Sequence, residues 1–340
     1  MQKKYFVRAN TSSGCVNLAE NNFYGITQVY RLCGKSARIK SDILKMIAGH
    51  FDLLGEETEC IISPFNITLT EGIIVRGRKF AVVNEEVLKI GENIDVDKCL
   101  SNTEMYLELK KKSADCYSRL YEAYSEAKKV HDEWEKIYIS NMDFKMLESY
   151  ENEMISQLIS RKKDKNPIRC DRFFGASTQD GSVNYIDNLT EGLKQRFFIK
   201  GRPGTGKSTF LKRLAKAASD AGYDTEVYWC SFDKNSLDMV IVPELDFCVF
   251  DSTAPHELFP SRKGDSIMDF YEKSGLSGVD EKYSDELKRI GDRYKFRITE
   301  GVNNLRLGGS YFKEREYYLN ITADKEEVSR IADRLIRKAR

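Results

Sequence analysis

Residues Ala9 to Asn84 align without a gap on Ala176 to Asp251, at the single offset that carries Lys40 onto Lys207. At that offset Ala9, Thr11, Gly14, Val16 and Asn17 meet Ala176, Thr178, Gly181, Val183 and Asn184. Gly34, Lys40, Ser41, Leu44 and Lys45 meet Gly201, Lys207, Ser208, Leu211 and Lys212, and Glu59, Phe65, Phe80 and Val82 meet Glu226, Phe232, Phe247 and Val249. Chance does not hold one register over so long a stretch, so the chain reads as a tandem duplication. Whatever the second copy folds into, the first must fold into as well. The 340 residues leave room for two domains of ordinary size.

The second copy carries the chemistry. Gly201-Arg202-Pro203-Gly204-Thr205-Gly206-Lys207-Ser208-Thr209 fits the GxxxxGKS/T phosphate-binding pattern. Backbone N–H groups wrapped at a helix N-terminus match the charge of a triphosphate, and Gly204 and Gly206 free the backbone to pass close to it. Lys207 is then placed to reach the β- and γ-phosphates, Ser208 to ligate Mg²⁺, and Thr209 to back the loop near the α-phosphate. The surroundings agree with this reading. Arg196 to Lys200 is β-prone, Leu211, Leu214, Ala215 and Ala218 recur at helical spacing, and Gly222 follows where a helix cap is expected. An apolar strand from Leu245 to Phe250 ends in Asp251, the expected metal-holding carboxylate, one strand (Glu226 to Cys230) beyond the loop helix.

Three further positions are candidates. Asp233 lies in a loop leaving a strand end, where it could position water or act as a base, or merely form a turn. Position 252 is serine, so the Glu that often follows the metal Asp is missing, and His256 or Glu257 is a possible substitute. Arg262 and Lys263 form a basic pair that could reach a transferring phosphate. Cys230 reads as a small buried residue rather than a nucleophile.

The first copy has lost this equipment. Ala37 and Ile39 stand where Gly204 and Gly206 stand, and Asn84 replaces Asp251. A β-branched side chain at 39 opposes the backbone angles that cradle phosphate. We therefore expect a non-catalytic first copy, although Lys40 and Ser41 are kept.

Tyr106 to Ile159 holds no Gly or Pro and reads as long amphipathic helices, and Arg161 to Pro167 as a linker. Tyr283 to Ile298 and Lys325 to Arg340 read as helices of the second copy. The expected division is 1–165 and 166–340: an α/β fold of two P-loop-type domains in tandem, each a mostly parallel sheet flanked by helices with a helical C-terminal extension. The 54 Lys and Arg nearly balance the 53 Asp and Glu, which gives no global argument for a nucleic-acid partner. Eight cysteines without a CxxC pair exclude a zinc or disulfide framework. No run of the chain is apolar enough for a membrane span, and the expected setting is cytoplasmic.

The loop, the Cys230-Ser231-Phe232-Asp233 segment, the Asp251 to His256 segment and the duplication together resemble a largely uncharacterised family of bacterial two-repeat P-loop ATPases. That resemblance implies ATP binding in the cytosol and little about biological role. The family's first repeat often keeps an intact loop, so Ala37, Ile39 and Asn84 depart from its pattern. The expected activity is Mg²⁺-dependent ATP hydrolysis in the second copy, with the first a pseudo-domain that could supply a basic residue, Arg38 or a helical Arg, to a shared site. A small-molecule or nucleoside kinase with Asp233 as base, and a nucleotide-gated interaction protein with little turnover, are the alternatives. ATP is favoured over GTP because no NKxD motif follows a later strand.

Overall fold

The computed structural model describes residues 2–100, 105–254, 257–321 and 323–339. In the first half lie β1 (Gln2–Tyr5), β2 (Arg8–Thr11), β3 (Gly14–Asn17), β4 (Gln28–Cys33), α1 (Ala37–Leu53), β5 (Thr58–Ile62), β6 (Thr70–Val75), β7 (Phe80–Asn84), β8 (Glu92–Asp95), α2 (Tyr106–Asn141) and α3 (Phe144–Leu158). In the second lie β9 (Arg169–Arg172), β10 (Gly175–Thr178), β11 (Gly181–Asn184), α4 (Ile186–Thr190), β12 (Gln195–Lys200), α5 (Lys207–Asp220), β13 (Thr225–Trp229) and β14 (Leu237–Val242). They are followed by β15 (Phe247–Asp251), β16 (Asp265–Asp269), α6 (Phe270–Lys273), α7 (Val279–Lys282), α8 (Ser284–Ile321) and α9 (Lys325–Lys338).

The strands build two six-stranded mixed sheets and two small hairpins. One sheet has the order β1-β5-β6-β7-β4-β8, and the other, read in the same sense, β9-β13-β14-β15-β12-β16. In each, only the strand third in the list (β6 or β14) runs against its neighbours. The central strands are apolar on both faces, as strands covered by helices on either side must be; Phe247 to Phe250 and Met239 to Val242 are all buried. The sheets meet at their β1 and β9 edges, where Phe6 and Phe173 exchange backbone hydrogen bonds of 2.9 and 2.8 Å.

Two expectations from sequence change here. The Asp251 strand is the third after the loop helix, because β14 intervenes as an antiparallel strand where a loop had been expected to continue. Its run Met239-Val240-Ile241-Val242 is short and wholly apolar, and periodicity alone does not tell such a run from a buried helix segment, although Pro243 and Glu244 part it from the strand that follows. The second change concerns α8, which runs on to Ile321 rather than stopping at Ile298.

Its glycines serve packing, not termination. A Cβ on Gly301 would lie 2.5 Å from the Tyr124 ring, and one on Gly308 3.1 Å from the Cys116 Cβ. The missing side chains let α8 lie against α2 along most of their length. The two helices are antiparallel, with Ser113 Oγ donating to the Gly308 carbonyl (2.9 Å) near one end and Arg293 paired with Glu133 (2.7 Å) towards the other.

The helical extensions then cross over. From the first half, α3 buries Leu147 in the core built by Phe210, Leu211 and Leu214 of α5 and by β12, β14 and β15. From the second half, α9 buries Val328, Ile331, Ala332 and Leu335 against Ile43, Leu44 and Ile47 of α1. Each sheet is thus covered by a helix from the other half of the sequence. Among the described residues, no helix is long and apolar enough to cross a membrane.

Candidate functional site

The parallel strands β12, β15 and β16 set where the site lies. The glycine-rich loop leaves the carboxyl end of β12, Asp251 ends the adjacent β15, and α5 begins at Lys207. Gly204 and Gly206 have φ of +77° and +84°, which a side chain would oppose. Gly206 precedes the first turn of α5 and offers it no side-chain cap, so N–H groups at that N-terminus are left for an anion.

Lys207 Nζ donates to the Arg202 carbonyl (2.8 Å) and lies 3.6 Å from Asp251 Oδ2. Asp251 Oδ1 is held by Thr253, from its backbone N–H at 3.0 Å and its hydroxyl at 2.7 Å. Ser208 Oγ accepts from the Leu237 backbone N–H at 2.8 Å, and Thr205 Oγ1 donates to the Arg202 carbonyl at 2.8 Å. Gly201 is tight against Thr205: a Cβ there would stand 2.6 Å from its hydroxyl oxygen. Pro203 is half-buried and Thr209 faces outward from the first turn of α5. The Arg202 side chain turns away, to a salt bridge with Asp280 (2.8 Å) above the Tyr271 ring.

Asp238 was not a candidate from sequence. It sits one position beyond the Met239–Phe250 pair of β14 and β15, beside Asp251 at the site. Burial, and then the Asp251 charge, push its carboxyl up to about 7. The signal in the sequence is a lone carboxylate inside an otherwise apolar strand.

The remaining candidates are sorted by the structure. Asp233 accepts the Asn235 N–H (2.9 Å) as a turn former does, and its other oxygen lies 3.3 Å from Lys128 Nζ on α2. Glu257 pairs with Lys200 (3.5 Å), the last residue of β12, which also donates to the Ser252 and Leu258 carbonyls. His256 lies outside the described residues. Arg262 precedes β16, so parallel strand direction puts it at the opposite end of the sheet, where it donates to the Thr190 and Glu191 carbonyls. Arg38 is engaged with Asp42 one turn along α1, on the first sheet. Burial holds the Cys230 thiol well above its usual range, which agrees with a structural cysteine.

What sequence reasoning missed most is the cover supplied by the first half. Lys128, His131 and Glu135 recur on one face of α2 and lie against this site. The Glu135 carbonyl is 2.8 Å, and the Ile139 side chain 3.1 Å, from where a Gly204 Cβ would be, and Leu147 of α3 is 2.7 Å from the Gly206 position. His131 meets the Phe232 ring edge-on at 6.2 Å. Burial, then Lys128, lower its pKa, so the ring is neutral at pH 7.

The corresponding place in the first half is filled. Without glycines at 37 and 39, α1 starts at Ala37, about one turn earlier than α5, and Ser36 caps it by accepting the Ile39 N–H at 3.1 Å. Protein carboxylates then take N–H groups of that segment. Gly34 donates to Glu85 (2.9 Å), Lys35 to Asp97 (2.6 Å), and Arg38 to Glu316 (2.9 Å), which also accepts from the Ser36 hydroxyl at 2.9 Å. Lys40 is 2% exposed and bonded to both oxygens of Glu86 at 3.0 and 3.1 Å. Glu316 comes from α8 of the second half. At the offset that carries the cap Asp143 onto the cap Asp324, its counterpart is Glu135.

No family model, curated protein or solved structure matches this chain.

Proposed function

We propose that the second half binds Mg²⁺-ATP at Gly201 to Thr209 and hydrolyses it, and that the first half is a duplicated, non-catalytic copy. One observation carries the reading. The uncapped N-terminus of α5 stands beside Lys207 and Asp251, 3.6 Å apart, while the same place in the first half is stopped with carboxylates. In P-loop chemistry the backbone N–H groups and Lys207 would receive the β- and γ-phosphates.

The donor set fits magnesium. Asp251, with Asp238 beside it, supplies hard oxygen donors near the loop, and the Asp238 carboxyl is raised chiefly by burial and then by the Asp251 charge, a repulsion that a dication would relieve. Asp251 and Ser208 would hold the ion, which supplies charge neutralisation at the phosphates. Ser252 does not replace the missing Glu, because its hydroxyl is spent donating to the Leu258 carbonyl at 2.7 Å. The kinase alternative draws no support from Asp233, both of whose oxygens already have partners.

Calorimetry with Mg²⁺-ATP, followed by phosphate release, tests the reading on wild type, Lys207→Ala and Lys40→Ala. One ATP per chain is expected, lost in Lys207→Ala and kept in Lys40→Ala, with turnover falling at least about a hundredfold in Lys207→Ala. Two bound nucleotides, or loss with Lys40→Ala, would sink it.

A further inference from the structure

The site proposed above has one loop lysine, and phosphoryl transfer commonly draws a second cation from a neighbouring unit to meet charge developing on the transferred group. The basic residues that sequence offered for this, Arg38 and Arg262, are held elsewhere, on Asp42 and on the Thr190 and Glu191 carbonyls. Lys128 is different. Its chain position is in the first half, but its ammonium stands 3.3 Å from Asp233, in the loop that leaves the carboxyl end of β13. Such loops line the ligand crevice of a parallel sheet. It is half-buried between Asp233 and Asp132, so the charge is held at the site rather than trailing in solvent. The helix that presents it is fixed over the loop by the Glu135 and Ile139 contacts at Gly204.

We propose that Lys128, carried by α2 out of the first half, is the second cation of the triphosphate site in the second half, parked on Asp233 until a nucleotide arrives. A lysine suits this. Its ammonium is a compact charge on a flexible stem and can leave a carboxylate for a phosphate oxygen without moving the helix. The proposal rests on the reading of Gly201 to Thr209 as the triphosphate loop. It also gives the non-catalytic half a reason to be kept: the second site is incomplete without α2.

The test uses the full chain with Lys128→Gln, Lys128→Arg, Asp233→Asn and, as a control on the solvent side of the same helix, Lys129→Gln. Calorimetry with Mg²⁺-ATP and steady-state phosphate release are measured on each, with thermal unfolding to confirm folding. Lys128→Gln is expected to keep ATP affinity within about threefold and to lose about a hundredfold in kcat. Lys128→Arg should recover most of that loss, Asp233→Asn should lose clearly less kcat than Lys128→Gln, and Lys129→Gln should match wild type. Unchanged kcat and KM in Lys128→Gln would overturn the proposal while leaving the loop assignment standing. Equal losses in Lys128→Gln and Asp233→Asn would also overturn it, reducing Lys128 to a structural ion-pair partner. A wild type that shows no ATP binding removable by Lys207→Ala would instead bring down the loop assignment, and this proposal with it.

Discussion

Arg172 lies 1% exposed where the two sheets meet, with its guanidinium 4.0 Å from the Tyr5 ring centroid, 2.8 Å from Glu59 and 3.3 Å from Glu226. Burial pushes the Glu226 carboxyl up, but the charges of Lys3 and Arg172, with hydrogen bonds from Lys3 and Tyr228, outweigh it and bring it down to about 2. A folded pKa below the unfolded value means stability that is present above about pH 4.3 and is lost as pH falls from there towards 2. Urea unfolding is therefore expected to show a steep fall below about pH 4.3 from this cluster, and, from the raised Asp238 carboxyl, a decline as pH rises through about 7. Glu226→Gln should cost about 3 kcal/mol at pH 7, since it strips a partner from a buried cation, and should flatten the acid limb. An unchanged acid limb in that variant would show that another group controls it. Glu316 offers a second test at this scale. Glu316→Ala leaves the Arg38 N–H and the Ser36 hydroxyl without their acceptor and should lower unfolding stability by about 1–3 kcal/mol, read from denaturant midpoints.

Helices α2 and α8 depend on residues that a propensity scale counts against them. Gly→Ala inside a helix ordinarily gains about 1 kcal/mol. At Gly301 the added methyl would meet Tyr124 at 2.5 Å, and a fully buried ring has nowhere to go. Gly301→Ala is therefore expected to lower the melting temperature, whereas Gly49→Ala on α1, with nothing within 4 Å, should raise it or leave it unchanged. Local sequence shows why these elements were read unevenly. The strand β12, the loop and α5 lie where the spacing puts them, because a β-prone run, positive-φ glycines and a helical apolar period are local signals. The end of α8 was misplaced because a helix-breaking residue and a packing glycine look the same in one dimension. The strand β14 escapes a local reading because a short, wholly apolar run shows no period that tells a buried strand from a buried helix segment.

Across the whole molecule, the crossed helices make each core a joint product. Fragments 1–165 and 166–340 expressed alone should expose the apolar faces that α9 and α3 cover, and so be molten or aggregated by circular dichroism and size exclusion. Co-expressed, they should associate and recover the spectrum of the intact chain. Independent, cooperative folding of either fragment would contradict the joint cores. The amino-acid sequence by itself determined the recurring strands, the glycine loop with its lysine and serine, and the loss of glycines in the first half, because backbone angle, side-chain charge and periodicity are properties of neighbours along the chain. Only the tertiary structure decided that Asp238 stands beside Asp251, that Glu316 stops the first loop, and that Lys128 pairs with Asp233. Each of those contacts joins residues whose separation along the chain is set by packing of whole helices and sheets, and no local pattern encodes which half a helix will cover.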